Sequence, residues 1–499
     1  MLTALADGPT IDTGNTAWLL ASTALVLLMT PGLALFYGGL NRSKSVLNMM
    51  MMSFSCIGLV SVLWIIYGFS FAFGTNGSSG VNNVIGSFTQ YLGTKNFVGE
   101  IWSVGGSPIG IPTYVVLAFQ MMFAIITVAL ISGAISDRAK FSGWLVFAFG
   151  WFTLVYVPVA HWIWGGGFIG AKLHALDFAG GTAVHINAGS AALALAIVLG
   201  RRVGWPRDSY KPHNVPMVAL GAGLLWFGWF GFNAGSELTA DNITAIAFVN
   251  TQDATAAALL GWIIVEWIRN GRPTMVGASS GAVAGLVAIT PSCAYVSPLG
   301  AIGLGLVAGA VCALAVSLKY RFSVDDSLDV FGVHFVGGWI GSLSIGLIGT
   351  TAYNSASAEG LFTGGGFTQL GRQALCSGIV TVFSFGVALG LGLLIEKTVG
   401  FRATRDAEVE GIDVAEHAES AYEFSSGASH GGHGAFALAG LGTPAATGPT
   451  GVAEPVSPAP AGTKPSDRAA PTEPVPAAKA GTDRTADPDH AEAPEKVSG

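Results

Sequence analysis

Apolar residues fall along this chain in long runs broken by short polar stretches, and the runs set the architecture. They occupy residues 16–38, 46–73, 111–135, 142–164, 181–200, 215–235, 244–268, 275–290, 298–319, 332–350 and 372–398. Most approach or exceed the roughly 20 residues that carry a helix across a bilayer core, and 275–290 is the shortest. The pattern predicts an all-α membrane protein of eleven transmembrane helices. Alternate loops differ in charge. One set holds Arg42, Lys44, Arg138, Lys140, Arg201, Arg202, Arg207, Lys211, Arg269, Arg272, Lys319 and Arg321, while the other holds Lys95, Lys172 and Arg372. Basic loops stay on the cytoplasmic side, which places the amino terminus outside and the carboxyl terminus inside. Met1 to Ala17 lacks Lys and Arg, so the first run reads as a true span and not as a signal peptide.

Composition sharpens this picture. The chain is 51% hydrophobic and 11% charged, too apolar for an ordinary soluble enzyme. Residues 401–499 differ from the rest, with 15 acidic against 7 basic side chains and 11 of the 22 prolines. From about Ser425 the chain is Ala, Pro, Gly, Thr and charge, which cannot bury enough apolar area to fold. The expected division is a membrane domain over 1–400, a membrane-proximal cytoplasmic segment over 401–424 and a disordered acidic tail over 425–499. Cys56, Cys293, Cys312 and Cys376 lie scattered in apolar segments and read as buried free thiols.

Candidate chemistry begins with His185 and His334, each inside a long apolar run with no charge nearby. An ionisable group at membrane depth is costly, so it faces a pathway or a partner. Matching settings in the two halves suggest an inverted repeat of five plus five spans, followed by one extra helix, with a shared central site. An odd number of spans per repeat forces the two into opposite orientations. The stretches Pro31 to Gly39 and Gly228 to Ser236 echo one another, although small residues also serve close helix packing. Uncharged imidazole donates from one nitrogen and accepts at the other, which suits a small molecule that exchanges hydrogen bonds or a proton. The alternative is a pair of buried imidazoles satisfied by backbone carbonyls. Aromatic faces attract small cations, and Phe119 and Phe123 share a helix face. Ordinary packing is the competing explanation for any one ring. Among motifs with catalytic meaning, no triad, phosphate loop, metal-ligand set or redox-cofactor site stands out, so neither enzyme activity nor a cofactor is expected.

The stretch Gly165-Gly166-Gly167, then Asp177 through Ala188, Gly228 through Ser236, Ala247 through Thr251 and Asp325 through His334 together closely resemble the ammonium transporter (Amt/Mep/Rh) family, Amt branch. Leu33 to Leu40 and Phe119 to Phe123 are similar too, and the resemblance runs over roughly 16–424. It implies an outer recruitment site for ammonium at Phe119, Trp164 and Ser236, with Trp229 just before a gate. It implies that Phe123 and Phe232 stack as that gate, and that His185 and His334 line a narrow apolar pore beneath it. Asp177 matches an acid the family needs near the outer site, where capping of the following helix competes with direct attraction of the cation. Asp326 and Asp329 read as capping or pairing residues at the start of the tenth span. The chain departs from the family pattern at Asp137, at the 13-position interval between Trp164 and Asp177, and at Asp253 inside a span.

By the same resemblance, Phe401 to Tyr422 packs beneath the membrane domain of a homotrimer with one pore per subunit and helps a PII-type signal protein dock. The function implied is inward ammonium or ammonia transport across the cytoplasmic membrane, with lipid and no nucleic acid as further partners. Two alternatives remain open: an ammonium sensor signalling through its tail, and a neutral-gas channel of the Rh type.

Overall fold

The computed structural model describes residues 10–208 and 210–422; the tail expected to be disordered over 425–499 lies outside the described residues. Among the described residues, ten helices are long and apolar enough to cross a membrane. They are α1 (Thr13–Leu40), α2 (Val46–Phe73), α3 (Thr113–Ile135), α4 (Phe141–Ala171), α5 (Gly181–Leu199), α6 (Val215–Glu237), α7 (Asn242–Asn270), α9 (Pro298–Phe322), α10 (Phe331–Ile348) and α11 (Thr368–Thr398). The shortest apolar run of the sequence forms α8 (Met275–Ile289), a helix of 15 residues. At 1.5 Å per residue it is only about 22 Å long. It is buried along most of its length, so protein rather than lipid surrounds it. Two short helices follow the last span, α12 (Arg405–Glu410) and α13 (Ile412–His417).

Helix α1 packs along α6, α7 lies against α8 and α9, and α5 lies against α11. Glycine makes the first of these contacts possible. A Cβ on Gly221 would stand 2.3 Å from the backbone nitrogen of Phe36, and one on Gly228 would stand 2.6 Å from the carbonyl oxygen of Leu25. The echo between the Pro31 and Gly228 stretches therefore falls on two helices that pack against each other through small residues. Large apolar side chains such as Ile268, Leu299 and Val382 remain on the surface, as expected of a bilayer-facing exterior. All four cysteines are buried free thiols.

The sequence leaves residues 74–110 as a loop, but part of that loop is a β-hairpin. Strand β1 (Ile101–Val104) pairs antiparallel with β2 (Ser107–Pro112). Gly105 and Gly106 join them with φ of +58° and +83°, the backbone a tight two-residue hairpin turn demands.

A buried charge network ties the loops at the basic end together. Arg202 grips Asp325 with two nitrogens, Nε to Oδ2 at 2.9 Å and Nη2 to Oδ1 at 2.8 Å, and its Nη1 reaches Asp137 at 3.2 Å. Arg138, fully buried, donates to Ser327 Oγ at 2.5 Å and to the Asp325 carbonyl at 2.6 Å. Burial alone would raise the Asp325 carboxyl, but the Arg202 hydrogen bonds and the Arg138 charge outweigh it and hold the group below its usual range. Its stabilising contribution is therefore complete above the ordinary aspartate pKa of about 3.9 and fades as pH falls through the lowered value. Removing one partner of a buried pair strands the other, so Arg202→Leu should cost about 3–5 kcal/mol at neutral pH. Thermal unfolding of purified protein checks this, and the gap to wild type should narrow in acid.

The segment after α11 is fastened under the bundle by carboxylates. Asp413 accepts from Leu47 N–H at 3.0 Å and Asn48 N–H at 2.8 Å at the start of α2, and Glu416 accepts from Phe141 N–H at 3.0 Å at the start of α4. Negative groups are favoured at helix amino termini, where backbone N–H groups lack internal partners.

Candidate functional site

His185 and His334 sit on helical turns of the same unusual kind. Gly181–Ile186 opens α5 and Phe331–Phe335 opens α10, both as wide π-helical turns. A carboxylate caps each. Asp177 Oδ1 accepts from Gly180 N–H at 2.8 Å and Gly181 N–H at 2.7 Å, while Oδ2 accepts from Thr182 N–H at 2.8 Å and Ala183 N–H at 2.9 Å. Asp326 accepts from Val330 N–H at 3.1 Å and Phe331 N–H at 2.8 Å. In each case the histidine follows its capping aspartate by the same eight positions. Such turns recur where a side chain must be aimed at a functional site.

The two imidazoles meet edge to edge. Their Nδ1 atoms are 3.3 Å apart, one donating to the other, and the ring planes differ by 23°. His185 Nε2 is buried and accepts or donates no hydrogen bond among the described residues. Both rings border a constricted cavity of about 10 Å³, room for roughly one water-sized molecule, walled by Leu33, Ile126, Val184 and Trp229. At its end, the rings of Phe123 and Phe232 stack with centroids 4.2 Å apart and planes 28° off parallel.

On the far side of the phenyl pair lies a wider cavity of about 370 Å³, bordered by Gln120, Phe123, Trp164, Phe178 and Ser236. Trp164 Nε1 donates to the backbone carbonyl of Asp177 at 2.9 Å, which fixes the indole beside Phe123 with centroids 6.1 Å apart. Ser236 Oγ donates to the Phe232 carbonyl at 2.8 Å, so its proton is engaged and its lone pairs remain available to a donor.

Two of the expected recruitment residues stand elsewhere. Trp229 is on the histidine side of the phenyl pair, with its ring 5.4 Å from that of His185 and nearly parallel to it, and its Nε1 donates to Thr290 Oγ1 at 2.8 Å. Helix periodicity is the reason: Trp229 precedes Ser236 by about two turns of α6, roughly 10 Å along the axis. Phe119 is fully buried and meets Phe123 edge-on at 4.9 Å, while its neighbour Gln120 borders the cavity. Gln120 escaped the sequence reading because an amide beside two phenylalanines carries no motif. The Asp177 carboxylate is spent on four backbone N–H groups and does not border the wide cavity.

A bundle of membrane-length helices with paired imidazoles buried at its centre defines a multi-pass membrane transporter. The sequence matches the model of the Ammonium Transporter Family over residues 17–422. It is 55% identical over 439 residues to the ammonium transporter of Mycobacterium tuberculosis H37Rv, covering 83% of this chain and 91% of that one. Identity to the ammonium transporter of Bacillus subtilis 168 is 47% over 413 residues, covering 83% and 99%. The crystal structure of Candida albicans Mep2 shares the fold with a TM-score of 0.73 at 33% identity, covering 83% of this chain and 93% of that one. A solved sensor Amt protein matches with a TM-score of 0.73 at 29% identity, covering 81% and 98%. The chain belongs to the ammonium transporter family, a family of transporters and not of enzymes.

Proposed function

We propose that this protein carries ammonium or ammonia inward across the cytoplasmic membrane along the line of the two cavities. Ammonium rests in the wide cavity against Trp164 and donates to Ser236 Oγ, whose own proton is held by Phe232. Aromatic faces stabilise a cation most when water is partly removed. It then passes the Phe123–Phe232 pair and reaches His185 and His334, with Trp229 beside them. The observation that carries this reading is the His185–His334 contact at 3.3 Å in a cavity sized for about one small molecule.

The same reading counts α8 as an eleventh span, with the amino terminus outside and the carboxyl terminus inside. The two capped π-helical turns support a five-plus-five inverted repeat followed by α11. It further assigns 1–400 to the membrane domain and 401–424 to a membrane-proximal regulatory segment, with 425–499 as a separate acidic tail. Family membership favours a homotrimer and a PII-type partner at the cytoplasmic face.

The test is the current across proteoliposomes after an ammonium pulse. A saturating current supports charge-coupled transport. No current with an intact ammonia-driven pH change indicates a neutral-gas channel. Neither signal despite ammonium binding indicates a sensor, a reading favoured by the likeness to a sensor Amt protein. Ser236→Ala removes one acceptor for a charged donor, worth about 1.5–3 kcal/mol. Its half-saturating ammonium concentration should rise at least tenfold while maximal current changes less; equal half-saturation would remove Ser236 from the site.

A further inference from the structure

One wall of the wide cavity belongs to none of the transmembrane helices. Trp102, Ser103, Val104 and Gly105 of the β-hairpin border it together with Trp164 and Ser236. The hairpin is anchored at its base. There, Asp12 N–H donates to the Gly110 carbonyl at 2.8 Å and Thr113 N–H donates to the Glu100 carbonyl at 3.1 Å. On the same part of the hairpin, the partly buried Trp102 indole packs against Phe69 and Phe73 with centroids 5.8 and 6.2 Å away. A second observation lies across the helix boundary. Gln120 borders the same cavity, and its Oε1 is buried and accepts no hydrogen bond among the described residues. A buried acceptor without a donor is costly, so the position calls for a ligand that brings one.

Resting on the reading of this cavity as the ammonium recruitment site, we infer that Trp102 and Gln120 are substrate-binding residues and that the hairpin exists to hold Trp102 there. Trp102 supplies a second aromatic face for the cation. A turn of the Gln120 side chain brings Oε1 into the cavity as a second hydrogen-bond acceptor beside Ser236 Oγ. Ammonium offers four N–H donors and methylammonium three, so a site with more acceptors distinguishes them by donor number. An aromatic face responds to charge and treats the two alike.

The experiment measures ammonium and methylammonium currents in proteoliposomes of wild type, Trp102→Ala, Trp102→Phe and Gln120→Leu. Trp102→Ala should raise the half-saturating concentration of both ions about two- to fivefold, the scale of one exposed cation–π contact. Trp102→Phe should keep most of the affinity. Gln120→Leu should raise half-saturation more for ammonium than for methylammonium and so lower the preference between them. Size-exclusion elution identifies any variant that fails to fold, and Gln120→Leu with Trp102→Phe then decides the question. Half-saturation and preference equal to wild type in Trp102→Ala and Gln120→Leu, or a loss of maximal rate alone, would overturn the inference. A wild type that carries no ammonium would instead overturn the transport reading itself.

Discussion

Replacing His334 by alanine is expected to reduce the saturating ammonium current on the order of a hundredfold, the low end of what a positioned proton-exchanging group contributes. His185→Ala should do the same, because each ring is the other's hydrogen-bond partner at 3.3 Å. The cavity between them holds roughly one small molecule and is otherwise bordered by apolar and aromatic side chains. On the proposed route, a molecule stripped of water at the phenyl pair would find its hydrogen-bonding groups on the imidazoles. His185 Nε2, without a hydrogen-bond partner among the described residues, has capacity to spare. Binding at the wide cavity should survive, since neither histidine borders it. Electrophysiology on supported membranes reads the current, and equilibrium binding reads the first site. Undiminished, saturable currents in both variants would sink the pair as an exchange site. A larger but unselective current that admits potassium would make the imidazoles a sieve and not a relay.

How much of this was legible in the residues depends on the kind of signal. Runs such as 111–135 and 372–398 announce their helices because lipid demands an unbroken apolar stretch with every backbone group paired internally. The two histidines stood out because ionisable groups are rare at that depth. Their direct contact could not be read, since it depends on π-helical turns at Gly181–Ile186 and Phe331–Phe335 that leave no compositional mark. Trp229 was expected ahead of the gate by resemblance, yet two turns of helix carry it past the phenyl pair to His185. The hairpin at 101–112 had a usable signal: Gly105-Gly106 flanked by short apolar segments is a two-residue turn pattern. Among so many membrane spans that pattern carries little weight, because strands are scarce there. The Arg202–Asp325–Asp137 network joins loops far apart in the chain, and nothing local to any of them names the others.

Asp177→Ala should prevent the protein from accumulating in folded form, and the reason separates two roles for this acid. The carboxylate accepts four backbone N–H groups at 2.7–2.9 Å, spanning Gly180 to Ala183. Each would be left buried without a partner, at about 1–3 kcal/mol apiece before relaxation. Even half of the upper total, on the order of 6 kcal/mol, is comparable to the whole stability of many domains. The loss would also loosen Trp164, whose indole nitrogen donates to the Asp177 carbonyl, and His185, which rides on the capped turn. Asp177→Asn is the discriminating variant. One amide oxygen can still serve two N–H groups, but the amide nitrogen then faces the other two donors. If Asp177 acts as a cap, the asparagine variant loses thermal stability and transport together, with a salt dependence like that of wild type. If it attracts the cation directly, stability is kept while half-saturation rises, most steeply at low ionic strength, where charge is least screened. The geometry favours the first outcome, because the carboxylate is already committed to the backbone at the start of α5 and has no face on the wide cavity.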